Sequence, residues 1–144
     1  MRLSYAFVAD SAQFTPIDGR LWVLGGDFDT FGAQAFPVTH PSLTLVVKII
    51  AQPTECGHEH RLRIELLNSA GDQIHPEISS KFSPQVNPQF RHRPVGVGLA
   101  LNFLLLVFPH AGDYAFHILV DDLELGVVPI YLTNIATGQK GRHP

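Results

Sequence analysis

Apolar and polar residues alternate one by one over three stretches of the chain, residues 43–49, 62–66 and 114–120. In the second stretch Leu62, Ile64 and Leu66 alternate with Arg63 and Glu65. Successive side chains of a β-strand point to opposite faces of a sheet, so this period of two is typical of a strand with one buried face. The pattern therefore predicts three strands.

Five further strands are predicted from apolar runs that are bounded by turn residues. They cover residues 3–9, 20–28, 73–79, 98–107 and 123–132. Asp18-Gly19 and Gly71-Asp72 stand between these runs, where tight turns need positive φ angles or side-chain hydrogen bonds to the backbone. About eight short strands without a helical period predict an all-β fold, a single antiparallel β-sandwich that is immunoglobulin-like or similar.

The length of 144 residues fits one domain, and the hydrophobic content of 45% is enough to build a continuous core. We expect the sandwich to occupy residues 1–136. Residues 137–144, TGQKGRHP, have no large apolar side chain to bury, so they are expected to form a flexible C-terminal tail.

The net charge and the number of cysteines limit the classes of binding partner and the cellular compartments that we expect for this protein. The formal net charge of −3 gives no overall attraction to nucleic acid or to anionic lipid, so neither is expected as a partner. No run approaches about 18 consecutive apolar residues, and Ser4, Tyr5 and Asp10 interrupt the N-terminal one, so neither a transmembrane helix nor a secretory signal is expected. The single cysteine, Cys56, fits a reducing compartment. Together these features predict a cytoplasmic protein.

Residues 108–122, FPHAGDYAFHILVDD, contain two histidines and three aspartates that we interpret as architecture rather than chemistry. Gly112 marks a turn, Tyr114 begins a strand, and Asp121-Asp122 marks the next reversal, where carboxylates accept backbone N–H groups. His117 falls on the strand face that points away from the core. Gly-x-Tyr at the start of a late strand is also found in the tyrosine corner of immunoglobulin-like sandwiches. No catalytic residue is predicted here.

A metal site is the most tempting chemical interpretation of Cys56, His58 and His60, with Glu65 following. Thiolate, imidazole and carboxylate all bind transition metals, and His-x-His followed by Glu loosely resembles the first metal motif of cupins. In one extended strand, however, His58 and His60 share a face while Glu65 points to the other. No second cupin motif follows, so the two histidines are expected at the partly exposed start of a strand, and no metal or other cofactor is predicted.

Residues 81–94, KFSPQVNPQFRHRP, resist a purely structural interpretation. Three prolines and the lack of alternation predict a long loop. Arg91, His92 and Arg93 give it a cationic end that could hold a carboxylate or phosphate, with Phe90 as a stacking surface. The alternative is a solvated loop whose arginines pair with nearby acids.

Two glycine-containing segments are expected to be bulges or close backbone approaches within strands, Leu24-Gly25-Gly26-Asp27 and Gly96-Val97-Gly98. The first should kink its strand so that Trp22, Leu24 and Phe28 pack on the core. Neither segment stands between a strand and a helix, so no phosphate-binding loop is predicted.

The run at residues 101–108, LNFLLLVF, breaks the alternation and is apolar on both faces. Such a strand is either covered on both sides or uses its outer face as a protein interface. A homodimer is one way of covering that face.

Three functions follow from these patterns, in order of preference. The first is a non-catalytic binding or assembly module that contacts a protein partner or a second copy, since no nucleophile, base and orienting group stand together. The alternative is a small-molecule or carbohydrate-binding sandwich, with Trp22, Tyr114 and the loop lining one pocket. The third is a metal-dependent, cupin-like enzyme.

Several segments resemble an uncharacterised family of small bacterial proteins, which is known only as a domain of unknown function. They are FVADSAQF, DGRLWVLGGDFD, HRLRIELLNSAGDQI and ALNFLLLVFPHAGDYAFHILVDD. The resemblance spans residues 5–132. It implies a stand-alone β-sandwich of bacterial origin, and it implies no activity and no catalytic or binding residue.

Overall fold

The computed structural model describes residues 1–135, which form nine strands. They are β1 (Arg2–Phe14), β2 (Leu21–Phe28), β3 (Thr30–Ala33), β4 (Val38–Ala51), β5 (His60–Asn68), β6 (Ile78–Phe82), β7 (Val95–Phe108), β8 (Gly112–Val120) and β9 (Leu123–Asn134). A 3-10 helix, Pro53–Glu55, lies between β4 and β5. No helix in this part of the chain is long and apolar enough to cross a membrane. The expected tail at residues 137–144 lies outside the described residues.

The strands pack as two sheets in the orders β2-β1-β4-β7 and β3-β9-β8-β5-β6. The parts β1-β4-β7 and β9-β8-β5 correspond to the orders A-B-E and G-F-C of immunoglobulin-like sandwiches. The predicted all-β, immunoglobulin-like sandwich is therefore confirmed, with one strand more than the eight expected.

The additional strand is β3, and it makes the fold not purely antiparallel. It pairs with β9 in parallel, with Thr30 opposite Tyr131. Asp29 alone separates β2 from β3, so the chain crosses from the first sheet to the second at this residue. Four residues are too few to show an alternation of apolar and polar positions, which is why the sequence did not predict this strand.

The core lies between the sheets and is built mainly by β4, β5, β7, β8 and β9. The three stretches with a period of two are β4, β5 and β8, and their predicted inward faces are confirmed. Side chains that are almost fully buried there include Leu43, Leu45, Val47, Ile49, Leu62, Ile64, Leu66, Phe116 and Ile118.

The β1–β2 hairpin folds over the outer face of the four-stranded sheet. β1 pairs with β4 only as far as Ala9 and then continues with β2 alone. Phe14, at its end, reaches across β4 to Gly98 of β7, where a Cβ atom would lie 2.6 Å from the Phe14 ring. This cover accounts for Thr44 and Val46, which point away from the core and are nevertheless buried.

The bulge expected at Gly25-Gly26 is confirmed. The pairing of β1 with β2 shifts so that Asp27 has no partner and takes a φ angle of 58°. Gly25 also has a positive φ, of 59°, and a Cβ atom there would lie 2.3 Å from the Asp10 carboxylate. Only glycine avoids both the strain and the clash.

The side chains on both sides of this bulge do not all reach the core, which corrects one prediction. Phe28 packs against the core, but Trp22 is 58% exposed and Leu24 is also exposed. The hairpin turns its other face, with Phe14, towards the sheet, so the alternate residues of β2 point to solvent.

The β6 strand lies later in the chain than predicted, at Ile78–Phe82 instead of 73–79. Gln73 forms only an isolated bridge with Leu67, and Pro76, which has no backbone N–H group to donate, stands before the regular pairing with β5 that begins at Ile78. The following loop is accordingly shorter than expected and covers residues 83–94.

The two apolar faces expected near the end of β7 are present, and one of them is uncovered. Leu105 has a φ angle of 53°, which breaks the alternation. Phe103 and Leu106 are buried on either side of it, while Leu104, Leu105 and Val107 are exposed.

Candidate functional site

A buried histidine, His60 at the start of β5, contacts Asp121 in the turn after β8. His60 is 8% exposed, and its Nδ1 lies 2.6 Å from Asp121 Oδ2. Its Nε2 lies 2.7 Å from the backbone carbonyl oxygen of Glu55. Asp121 Oδ1 accepts the backbone N–H of Arg61 at 2.9 Å. The turn therefore holds the ring from one side and the 3-10 helix holds it from the other.

Both partners of the His60 ring are acceptors, so the ring satisfies them best as an imidazolium that donates from each nitrogen. The Asp121 hydrogen bond raises the pKa of His60, against the opposing effect of burial. The pKa of Asp121 is lowered, first by the N–H of Arg61 and then by His60. The arrangement is a charged clasp between β5 and the β8–β9 turn.

The weak metal candidates do not form a site. His60 is buried instead of partly exposed, and both of its nitrogens are occupied by protein acceptors. His58 is exposed, with its ring centroid 4.9 Å from that of His60. Cys56 donates a long hydrogen bond from Sγ to the carbonyl oxygen of Gln52 at 3.5 Å. No three histidine, cysteine, aspartate or glutamate side chains within residues 1–135 converge well enough to hold a metal ion.

The loop candidates are only partly brought together. The Arg93 guanidinium stacks over the Phe90 ring, 3.8 Å from its centroid, as a cation–π contact. The pair lines an open depression of ≈ 470 Å³ together with Gln85, Asn87, Pro88, Pro94 and Val95. Arg91 and His92 are exposed and are not among its lining residues.

Trp22 and Tyr114 do not share a pocket with this loop, which corrects the expected ligand site. Trp22 stands opposite Gln13 on the hairpin, in a separate depression lined by residues of β1 and β2. Tyr114 is buried on β8 in the other sheet. The hairpin and the tyrosine occupy different sheets, so the sequence pattern alone could not place them together.

The outer face of the five-stranded sheet carries a cluster of apolar side chains, which we call the apolar face. Leu67, Ala115 and Pro129 lie side by side on β5, β8 and β9. Val127 and Tyr131 extend the row along β9, and both are exposed. All five line an open depression of ≈ 440 Å³. The face is uncovered, unlike the centre of the outer face of the other sheet, where Thr44 and Val46 are buried.

Charged side chains border the apolar face at one end. His117 Nδ1 lies 2.5 Å from Glu124 Oε1. Arg63 lies 3.7 Å from Glu65 and 3.4 Å from Asp122. The Nε atom of Arg63 is buried and has no hydrogen-bond acceptor within residues 1–135. The face thus has an apolar centre with polar groups at its edge, including one unsatisfied donor.

Comparison with protein families tests the resemblance to an uncharacterised family that the sequence segments indicated. The model of a family of unknown function (DUF6941) matches residues 4–133. The chain belongs to DUF6941. A search of curated proteins found no match. The predicted resemblance to an uncharacterised family is confirmed over almost the same range.

Two features of this DUF6941 chain were not predicted from the sequence: the contact between His60 and Asp121, and the apolar face. The His60–Asp121 clasp joins residues 61 positions apart, and only the register of β5 with β8 brings them together. The apolar face combines residues of three strands, of which Val127, Pro129 and Tyr131 alternate along β9. That alternation was the available signal, although in the sequence it indicated only a strand.

Proposed function

We propose that this DUF6941 protein is a non-catalytic module that binds another protein through the apolar face. The single observation that carries the proposal is the cluster of Leu67, Ala115, Val127, Pro129 and Tyr131 on the outer face of the five-stranded sheet, in which Val127, Pro129 and Tyr131 are exposed and the other two are half-buried. Contiguous exposed apolar surface with a polar border is typical of protein interaction sites.

The contrast between the two sheets supports this assignment. The outer face of the four-stranded sheet also carries apolar residues such as Val46, but there the β1–β2 hairpin covers them. The chain thus shields the central part of one outer face with its own residues, whereas the apolar face of the other sheet stays open. A partner with an apolar centre fits the open face.

The hydrogen bonds of His60 and His117 support a non-catalytic role. His60 directs both nitrogens at protein acceptors, and His117 pairs with Glu124. A nucleophilic site needs a hydroxyl or thiol within hydrogen-bond reach of its base. In the described residues, the hydrogen bonds of these two rings go to carboxylates and a carbonyl group.

A small anionic ligand at the loop is the second candidate function. Arg93 lies flat on Phe90, which orients its guanidinium while leaving the N–H groups at its edge accessible. A carboxylate or phosphate can accept two of these groups at once. The depression of ≈ 470 Å³ beside the stack is large enough for such a group.

We place the protein in the bacterial cytoplasm. The single cysteine, Cys56, fits a reducing compartment. The resemblance of its segments to small bacterial proteins supports the source.

A capture experiment tests the proposal. The purified protein is used as bait in lysate of its host, beside Val127→Asp on the apolar face and Leu123→Asp as a matched control. Leu123 is on the same strand and 65% exposed, but it lies outside the face. A third variant, Arg91→Ala/Arg93→Ala, removes the cationic loop. Circular dichroism verifies that each variant is folded.

We expect one protein to bind the wild type, Leu123→Asp and the loop variant, and to be lost with Val127→Asp, because a buried unpaired charge costs several kcal/mol. Binding that Val127→Asp retains contradicts the apolar face as the contact. Loss in the loop variant alone assigns recognition to Arg91 and Arg93. No captured protein, together with saturable phosphate binding by the wild type, favours the anion-binding alternative.

A further inference from the structure

The two sheets have four edge strands, β2, β7, β3 and β6. An edge strand presents unpaired N–H and C=O groups that can pair with a strand of another molecule. Natural proteins limit this pairing with short edges, charged residues, prolines or bulges. The four edges can be compared by these criteria.

Three of the four edges carry such features. β3 has only four residues. β6 has five residues and includes Lys81. β2 is interrupted by the bulge at Asp27 and by the positive φ angle of Gly25. Each of these edges is a poor template for a further strand.

β7 lacks these features over most of its length. Its 14 residues, VGVGLALNFLLLVF, include no charged residue, no histidine and no proline. Its pairing with β4 runs without a register shift from Val95 to Phe108. The first irregularity is Leu105, with its positive φ angle, so residues 95–104 form a regular edge of ten residues. Within residues 1–135, the β7 backbone is hydrogen-bonded in strand pairing to β4 only.

Apolar side chains are exposed along the same edge. Leu104 is 68% exposed. Leu99 and Leu101 point inward and pack on the core but remain only partly buried, because no strand lies beyond β7. A strand added at this edge would shield all three.

We propose that two copies of this protein associate through β7, each pairing residues 95–104 antiparallel with the same segment of the other. The two-fold relation places every residue of this segment opposite another residue of the same segment. Like charges placed opposite each other would destabilise such a pair, and the segment has none. The result is one continuous sheet of eight strands, β2-β1-β4-β7 joined to β7-β4-β1-β2. This association uses a different surface from the apolar face and does not depend on it.

Sedimentation velocity over about 1–100 μM protein tests the pairing, with Leu104→Lys compared with Leu123→Lys. Both leucines are highly exposed, 68% and 65%, so the same change is made with similar effects on folding. We expect a concentration-dependent dimer of the wild type, with its Kd raised about tenfold or more by Leu104→Lys and less than about twofold by Leu123→Lys.

A second matched pair covers the case in which lysine at residue 104 disturbs the local fold. Asn102→Asp keeps the oxygen that accepts the Thr44 hydroxyl at 2.7 Å and adds a charge inside the segment. Asn87→Asp makes the same change in the loop, where its oxygen accepts the backbone N–H of Gln89. Only Asn102→Asp is expected to weaken the dimer.

Two further readouts locate the contact. Amide hydrogen exchange should slow within residues 95–104 as the dimer forms. Trp22, on the opposite edge of the same sheet, should remain equally accessible to a fluorescence quencher at all concentrations. A wild type that stays monomeric at about 100 μM overturns the proposal, and so does a dimer that both charge variants leave intact or that shields Trp22.

These outcomes are separate from those for the apolar face. A monomeric protein that still captures a partner through Val127 refutes the β7 pairing and leaves the proposed function intact. A dimer that Asn102→Asp weakens, formed by a protein that captures no partner, supports the β7 pairing and contradicts the proposed function.

Discussion

The hydroxyl group of Tyr114 donates a hydrogen bond to the carbonyl oxygen of His110 at 2.7 Å and accepts the backbone N–H of His110 at 3.2 Å. Tyr114 is buried at the start of β8, and His110 lies in the turn before it. This is the tyrosine corner expected at the corresponding strand of immunoglobulin-like sandwiches. The hydroxyl group fixes the connection between the two sheets where β7 ends.

Replacing this hydroxyl group tests its contribution to stability. Tyr114→Phe removes one donor and one acceptor and leaves the His110 backbone groups unpaired. We expect the free energy of unfolding to fall by about 1–2 kcal/mol, measured by urea denaturation. Tyr131→Phe is the control, because Tyr131 is exposed on the apolar face, and it should change stability by less than about 0.5 kcal/mol. Equal effects of the two substitutions would contradict a structural role for the corner.

The His60–Asp121 clasp should make stability depend on pH. The pKa of His60 is raised in the folded protein, so its contribution is complete below the unfolded value of about 6.5 and is lost as the pH rises through the folded pKa. The pKa of Asp121 is lowered, so its contribution is complete above about 3.9 and is lost as the pH falls through the folded pKa. Both contributions are present together between about pH 4 and pH 6.5.

Thermal denaturation of the wild type and Asp121→Asn over a range of pH measures this dependence. The difference in Tm should be largest near pH 5 and should shrink towards both extremes. Asp113→Asn, at an exposed carboxyl group at the start of β8, is the control. A difference for Asp121→Asn that is constant with pH would show that the clasp does not carry a charge.

The contact between Phe14 and Gly98 should hold the hairpin on the sheet. Gly98→Ala places a methyl group where the Phe14 ring lies, so we expect it to lower the free energy of unfolding by about 1–3 kcal/mol. In a Phe14→Leu background the space is less crowded, and the cost of Gly98→Ala should be smaller. A double-mutant cycle measures the difference. Strictly additive effects would mean that the two residues are not coupled.

The sequence predicted most of the sandwich because its central strands are buried on one side. Residues 43–49, 62–66 and 114–120 alternate, and they became β4, β5 and β8. Shorter or irregular elements were missed or displaced. β3 has too few residues for a period, and β6 begins beyond Pro76, where propensity alone gave no boundary.

The candidate site was predicted less well. It depends on which residues of neighbouring strands lie opposite each other and on which sheet face another segment covers. His60 and Cys56 are close in sequence, yet one of the two contacts of the His60 ring is made by Asp121, in the turn after another strand. Trp22 was expected on the core because its strand pattern does not reveal which face of a hairpin meets the sheet. Arg93 and Phe90 are close in sequence, and their proximity was the one contact that spacing could indicate.

The hairpin that carries Phe14 over Gly98 lies on the opposite side of the domain from the apolar face. In an antiparallel strand pair the two-fold axis stands perpendicular to the sheet, so two copies joined through β7 would turn their apolar faces to the same side. The assembly would then be bivalent, with two equal sites on the same side. A partner with two matching patches would hold it far more tightly than either site alone, through effective concentration.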